Sequence, residues 1–120
     1  MKYDDNNIFA KILRKEIPCK KVYENDYALA FHDTKPQAKI HLLVIPKGKY
    51  ISFADFSKNA SKDEIDSFFK AVGKVAEDQD LIGDGYRILA NHGANAGQEV
   101  PHFHVHIFGK QSLGPMISKN

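Results

Sequence analysis

In "DDNNIFAKILRKEIP" the apolar residues Ile8, Phe9, Ile12 and Leu13 fall three and four apart, the stripe of a short amphipathic helix. Asp4 to Asn7 offer N-cap oxygens, Arg14 and Lys15 suit the negative end of the helix dipole, and Pro18 is the expected stop. The period then changes. Val22 and Tyr23 lie in one apolar run and Tyr27 to Phe31 in another, separated by the polar "END", which predicts a β-hairpin. After the loop "TKPQAK", the segment "IHLLVIP" is apolar almost without interruption and ends at Pro46. It reads as a central strand covered on both faces, with His41 at its entry.

Helical spacing returns in "SKDEIDSFFKAVGKVAEDQDLIG". Ile65, Phe68, Phe69, Val72, Val75 and Ala76 form one stripe, and Ser61 with Glu64 makes a capping box. "DGYRILAN" and "PHFHVHIFG" read as strands four and five, joined by "HGANAGQEVP". Two helices and five mostly sequence-adjacent strands predict an α+β domain over residues 1–120. Its expected form is a five-stranded antiparallel sheet with both helices on one face.

The last strand poses the chemical question. His102, His104 and His106 alternate with Phe103, Val105 and Ile107, so an extended chain puts three imidazoles on one face and three apolar side chains on the other. The helix stripes are expected against the apolar side. Burying three imidazoles for structure alone costs several polar groups unless each finds a partner. A metal is a rival reading. Neighbouring histidines of the alternation stand about 6.6 Å apart at the backbone, close enough for a pair to grip an ion with His41 or His32 joining from elsewhere. His102 and His106 stand about 13 Å apart, however, and no carboxylate lies within the alternation. The third reading is nucleophilic attack on phosphorus. A neutral imidazole attacks through one free nitrogen while an acceptor orients the other, and flanking imidazoles stabilise phosphate oxygens and manage protons. The glycines of "GANAGQEVP" let the backbone approach a ligand, and the Gln98 side chain is a candidate phosphate donor.

Composition narrows the classes. With 42% hydrophobic and 27% charged residues the chain suits a soluble domain. No apolar run approaches the ~20 residues of a membrane span, and the first residues do not read as a signal peptide. Seventeen basic against fifteen acidic residues leave a formal charge of +2. The densest basic cluster, Arg14, Lys15, Lys20 and Lys21, reads as a solvated face, so neither nucleic acid nor membrane is an expected partner. Cys19 is the only cysteine and excludes an internal disulfide. A cytoplasmic protein is expected.

"HFHVHIF", from His102 to Phe108, resembles the signature of the histidine triad family, in which histidines alternate with apolar residues. "GQEVPHFHVHIFG" is similar to that family's approach to its triad. "FHDTKPQAKIHLLVIPK" and "IFAKILRKEIPCKKVYEND" resemble segments of its Hint-like branch, the purine nucleoside phosphoramidases. The likeness runs from about Ile8 to Pro115. It implies a homodimer with a ten-stranded sheet, no cofactor, and hydrolysis of groups from the α-phosphate of purine nucleotides, above all adenosine phosphoramidates. It implies His104 as nucleophile, His102 and His106 beside it around the phosphate, and His41 as a fourth histidine supporting the protons. Asn91, Gly97, Gln98, Glu99 and Val100 would surround the phosphate, and Asp33, between His32 and Thr34, would hold the ribose hydroxyls. Phe9, Ile12, Phe31 and Leu43 would line the base pocket. Dinucleoside polyphosphate hydrolysis, nucleotidyl transfer and non-catalytic nucleotide binding are the alternatives; the short tail after Gly109 speaks against a large second substrate site.

Three departures from the family pattern stand out. Glu99 replaces a serine found in animal enzymes, and Pro101 replaces a usual aromatic residue. Asn7 and Ala10 stand where some bacterial relatives carry a zinc-binding Cys-x-x-Cys pair, so no metal is expected.

Overall fold

Strands β1 (Lys21–Glu24), β2 (Ala28–His32), β3 (Ile40–Pro46), β4 (Tyr86–Leu89) and β5 (Val105–Gly109) form one antiparallel sheet in the order β1-β2-β3-β5-β4. The computed structural model describes residues 2–118; Met1, Lys119 and Asn120 lie outside them. The expected hairpin is β1–β2. Asn25 closes its turn by accepting the Tyr27 and Ala28 amides on its side-chain oxygen, each at 2.8 Å. The nearly continuous apolar run of β3 fits its place at the centre of the sheet, buried from His41 to Pro46.

Helix α1 is Ile8–Leu13, α2 Phe53–Asn59 and α3 Lys62–Asp78. The Ser61–Glu64 capping box starts α3, and Phe68, Ala71, Val72, Val75 and Ala76 form its buried face. Phe69, expected in that stripe, is 41% exposed at its margin. Both α1 and α3 end in the same way. The residue after the cap is left-handed (Lys15, φ 64°; Asp80, φ 59°), and the next amide reaches back to Lys11 or Ala76. Helix α1 therefore stops at Leu13, five residues before Pro18, because its own carbonyls are capped there.

Two further expectations are corrected. There are three helices rather than two. Within α2 the only large apolar residues are Phe53 and Phe56, too few for a visible period. What holds α2 is tertiary: Phe56, fully buried, stacks on Phe103 at 4.8 Å and packs against Phe68 at 5.2 Å. The helices also do not share a face. Residues Ala28, Ala30, Leu42, Val44, Val105 and Ile107 face α2 and α3. The alternate residues Leu29, Phe31, Leu43 and Ile45 face α1 through Phe9 and Ile12. Because Leu43 lies directly opposite His106 across β3–β5, α1 covers the histidine side of the sheet.

Candidate active site

The triad is not one extended strand. Strand β5 begins only at Val105, so of the three histidines only His106 lies on a paired strand. The residues before it are held by another tether: the Phe103 amide donates to the Tyr50 carbonyl at 2.7 Å. Pro101, without an N–H, stands outside the ladder and removes no strand hydrogen bond.

Each imidazole has partners that dictate its tautomer, because a carbonyl can only accept and an amide N–H can only donate. His104 Nδ1 is 2.7 Å from the His102 carbonyl and so carries the proton, which leaves Nε2 as a bare lone pair. His102 Nε2 donates to the Pro46 carbonyl at 2.8 Å, and its Nδ1 accepts from the Tyr3 hydroxyl at 2.6 Å. The Gln37 amide donates to His41 Nδ1 at 3.1 Å, so His41 Nε2 holds the proton and passes it toward His106 Nδ1, 2.8 Å away. A neutral His106 then presents Nε2–H. The result is an unprotonated nitrogen on His104 beside an N–H donor on His106, with ring centres 5.0 Å apart.

Burial keeps these rings neutral. It draws His102 and His106 down to about 4, the latter helped by the neighbouring His104 and His41. His104 is also lowered by burial, against the pull of the His102 carbonyl, Asp33 and Glu99. His41 is lowered by burial, opposed by Asp33. A neutral imidazole is the form that attacks phosphorus.

Around the histidines the expected residues divide. Phe9 meets His104 edge-on at 4.9 Å and Phe31 at 5.7 Å, and Ile12, Phe31, Leu43 and Val100 belong to the same apolar cluster. Asp33 places one carboxylate oxygen 3.4 Å from His41 Nε2, while the other accepts the Lys35 amide at 2.8 Å. Thr34 is exposed on the turn beyond it. The β4–β5 register pairs Leu89 with His106, and Asn91 lies two residues beyond the end of β4, where the chain enters the next loop. The intervening loop needs its glycines: Gly93 and Gly97 have φ of 78° and 72°, around a single 3₁₀ turn, Ala94–Ala96.

Three roles expected of site residues do not fit. His102 is fully buried with both ring nitrogens engaged, so it has no N–H to offer a phosphate. The Gln98 amide nitrogen already donates to the carbonyls of Ile51 and Val100, and its oxygen accepts the Gly93 amide; the side chain braces the loop instead of reaching a ligand. His32 lies opposite Leu42, hence on the α3 side of the sheet, away from the other histidines.

Asp33, His41 and His106 bring three ligand-type atoms within 4.8 Å of one another, the one such group among the described residues. A cation there has to displace the proton shared by His41 and His106. At the second place weighed for metal, the Asn7 side chain accepts the Ala10 amide at 2.9 Å: the N-cap of α1 joins the two positions. A cavity of about 660 Å³ is lined by Ile12, Ile17, Cys19 and Leu29. It includes none of the histidines, and burial pushes the Cys19 thiol up, away from the reactive thiolate.

A neutral imidazole with one nitrogen tied to a carbonyl and the other free, flanked by two more histidines of an alternating run, defines a histidine-triad site. The HIT domain family matches residues 14–113, and the chain belongs to that family. It is 58% identical over 117 residues to an uncharacterised 13.2 kDa HIT-like protein of Azospirillum brasilense, covering 98% of this chain and 96% of that one. It is 38% identical over 114 residues to the purine nucleoside phosphoramidase of Escherichia coli (strain K12), covering 95% of each. Among solved structures, a histidine triad protein from Clostridium difficile superposes with a TM-score of 0.85 at 38% identity, covering 98% of this chain and all of the other.

Proposed function

We propose that this protein is a nucleotide hydrolase that removes a substituent from the α-phosphate of a purine nucleoside monophosphate, a phosphoramidate first, through a nucleotidyl-His104 intermediate. The observation that carries the reading is the His104 Nδ1–H donated to the His102 carbonyl at 2.7 Å, which leaves Nε2 free in a neutral ring. The 38% identity to a purine nucleoside phosphoramidase supports the substrate class.

His104 Nε2 attacks phosphorus, and the P–N bond to the amine breaks. The amine leaves with the electron pair and takes a proton from solvent. Water then attacks phosphorus, its proton returns to solvent, and the pair of the P–Nε2 bond goes back to His104. His106 Nε2–H donates to a phosphoryl oxygen in both steps, held as donor by His41. Phe9, Ile12, Phe31 and Leu43 offer an apolar wall for the base, and Asp33 retains lone pairs for ribose hydroxyls. Glu99, exposed and electrostatically coupled to His104, disfavours anionic leaving groups. No metal is required in this scheme, so activity should survive chelation, and a loss restored only by zinc or another divalent ion would overturn that part.

We place the enzyme in the cytoplasm as a homodimer. Strand β4 is a sheet edge, and Phe53, Phe69 and Ile88 beside it are each more than 40% exposed; a twofold partner would bury them. Sedimentation at low micromolar concentration should give twice the 13.5 kDa chain mass, and a monomer would overturn that part. The chemistry is tested by alkaline rapid quench with labelled adenosine phosphoramidate and peptide mapping. Label on His104 is expected; label on His106, or none, overturns the assignment.

A further inference from the structure

The N-terminal segment reaches into the histidine cluster, although nothing in the family signature draws attention to it. Tyr3 stands 99 residues from His102 in sequence, yet its hydroxyl lies 2.6 Å from His102 Nδ1 and its ring meets the imidazole edge-on at 5.6 Å. The segment carrying it is pinned twice more. Lys49 pairs with Asp5 at 2.8 Å, and Arg14 donates to the Asp5 carbonyl at 2.8 Å.

We propose that Tyr3 is a positioning residue for the attack on phosphorus: it holds the His102 ring as the Nε2–H tautomer and thereby fixes the His102 carbonyl that orients His104. The inference rests on the function proposed above. Its logic is a chain of donors. With Nδ1 occupied by the Tyr3 hydroxyl, His102 can only donate through Nε2, to the Pro46 carbonyl. Clamped from both ends, the ring anchors its own backbone, whose carbonyl accepts the His104 Nδ1–H. The groups facing His102 are Tyr3 from the N-terminal segment, Phe9 from α1, the Pro46 carbonyl from β3 and the neighbouring His104. Tyr3 alone among them donates to its nitrogen. A donor bonded to the neutral ring favours that form, so its loss raises the pKa of His102. Burial raises the Tyr3 hydroxyl itself, which keeps it a donor through the neutral range.

The test compares wild type with Tyr3→Phe and Tyr3→Leu, following histidine ring nitrogens by NMR against pH and turnover of adenosine 5′-phosphoramidate across the same range. Tyr3→Phe keeps the ring packing and loses only the hydroxyl. It should move the His102 titration to higher pH, lower kcat by about 3- to 10-fold with KM nearly unchanged, and shift the acid limb of kcat upward in pH. Tyr3→Leu should do the same. An unchanged His102 titration or an unchanged acid limb in Tyr3→Phe overturns the proposal. So does a loss confined to Tyr3→Leu, which would make the ring's packing the whole role. If the wild type turned over no phosphoramidate, the function proposed above would fail on its own account, and the ring titration would still decide the clamp.

Discussion

The two faces of the sheet are built from the same strands and do opposite work. On the α3 side, Ala28, Ala30, Leu42, Val44, Val105 and Ile107 present hydrocarbon to Phe56, Phe68 and Phe103, all but completely buried. On the α1 side, one turn and a half of helix covers Leu29, Phe31, Leu43 and Ile45 and leaves room for four imidazoles. The period of two that gives β5 its core residues Val105 and Ile107 also aims His106 the other way. Burial on one side stabilises the fold directly. On the other it holds histidines in their neutral form, which favours attack and costs stability whenever protons are abundant.

Substitutions at matched depth separate the two faces. The largest effect belongs to His104→Ala. Turnover should fall by about 10⁴-fold or more while nucleotide affinity measured by calorimetry changes little, since the lost atom acts only along the reaction path. Equal losses for alanine at positions 102, 104 and 106 would erase the distinction between nucleophile and support. Phe68→Ala is the counterpart on the opposite face. It should destabilise by about 3–5 kcal/mol in denaturant titration, because the ring is fully buried, with turnover per folded molecule kept.

Acid should act most strongly through the histidine face, with a smaller loss from exposed pairs such as Glu24 with Lys47 and Lys21. An unfolded histidine titrates near 6.5, but burial lowers His102 to about 4, so between these values the unfolded chain binds more protons. Stability is complete above about pH 6.5 and declines as pH falls through 4. For His102 alone the loss is on the order of 3 kcal/mol. Denaturant midpoints from pH 7.5 to 4 check this; a flat profile would mean that the ring is already charged or solvated.

The smallest effect is the sharpest comparison. Ser61→Ala and Asn7→Ala each remove an N-cap acceptor, at about 1 kcal/mol apiece. Loss of the Ser61 cap should lower the melting temperature and leave kcat alone. Loss of the Asn7 cap should also reduce turnover, since α1 carries Phe9 against His104.

Much of this division was legible in the sequence, and the rest failed for definite reasons. The stripe and capping box of α3, the hairpin and the central β3 are local signals, and all three stand. The stripe of α1 told that the helix has a buried face but not which side of the sheet receives it; that depends on how the chain enters β1. Helix α2 is invisible because it has one fully buried side chain, and that side chain's partners lie on α3 and before β5. The alternation of the triad foretold the side of His106 correctly. It placed His102 on the same side, where Phe9 meets it, but could not foretell that the paired strand starts three residues later or that Pro46 and Tyr3 hold the ring. Asp33 was named only through the family resemblance, and its closeness to His41 required the β2–β3 pairing, where the Asp33 amide bonds the His41 carbonyl.

The acceptor that orients His104 is a peptide oxygen. A carboxylate partner would be one substitution away from disappearing, whereas no replacement at position 102 removes a main-chain carbonyl. Genetic change can tilt or loosen this acceptor but cannot delete it. The orientation of His104 is thus sheltered from mutation, and neighbouring side chains are left as graded adjustments. A substitution at position 102 therefore changes how firmly the acceptor is held, not whether it exists.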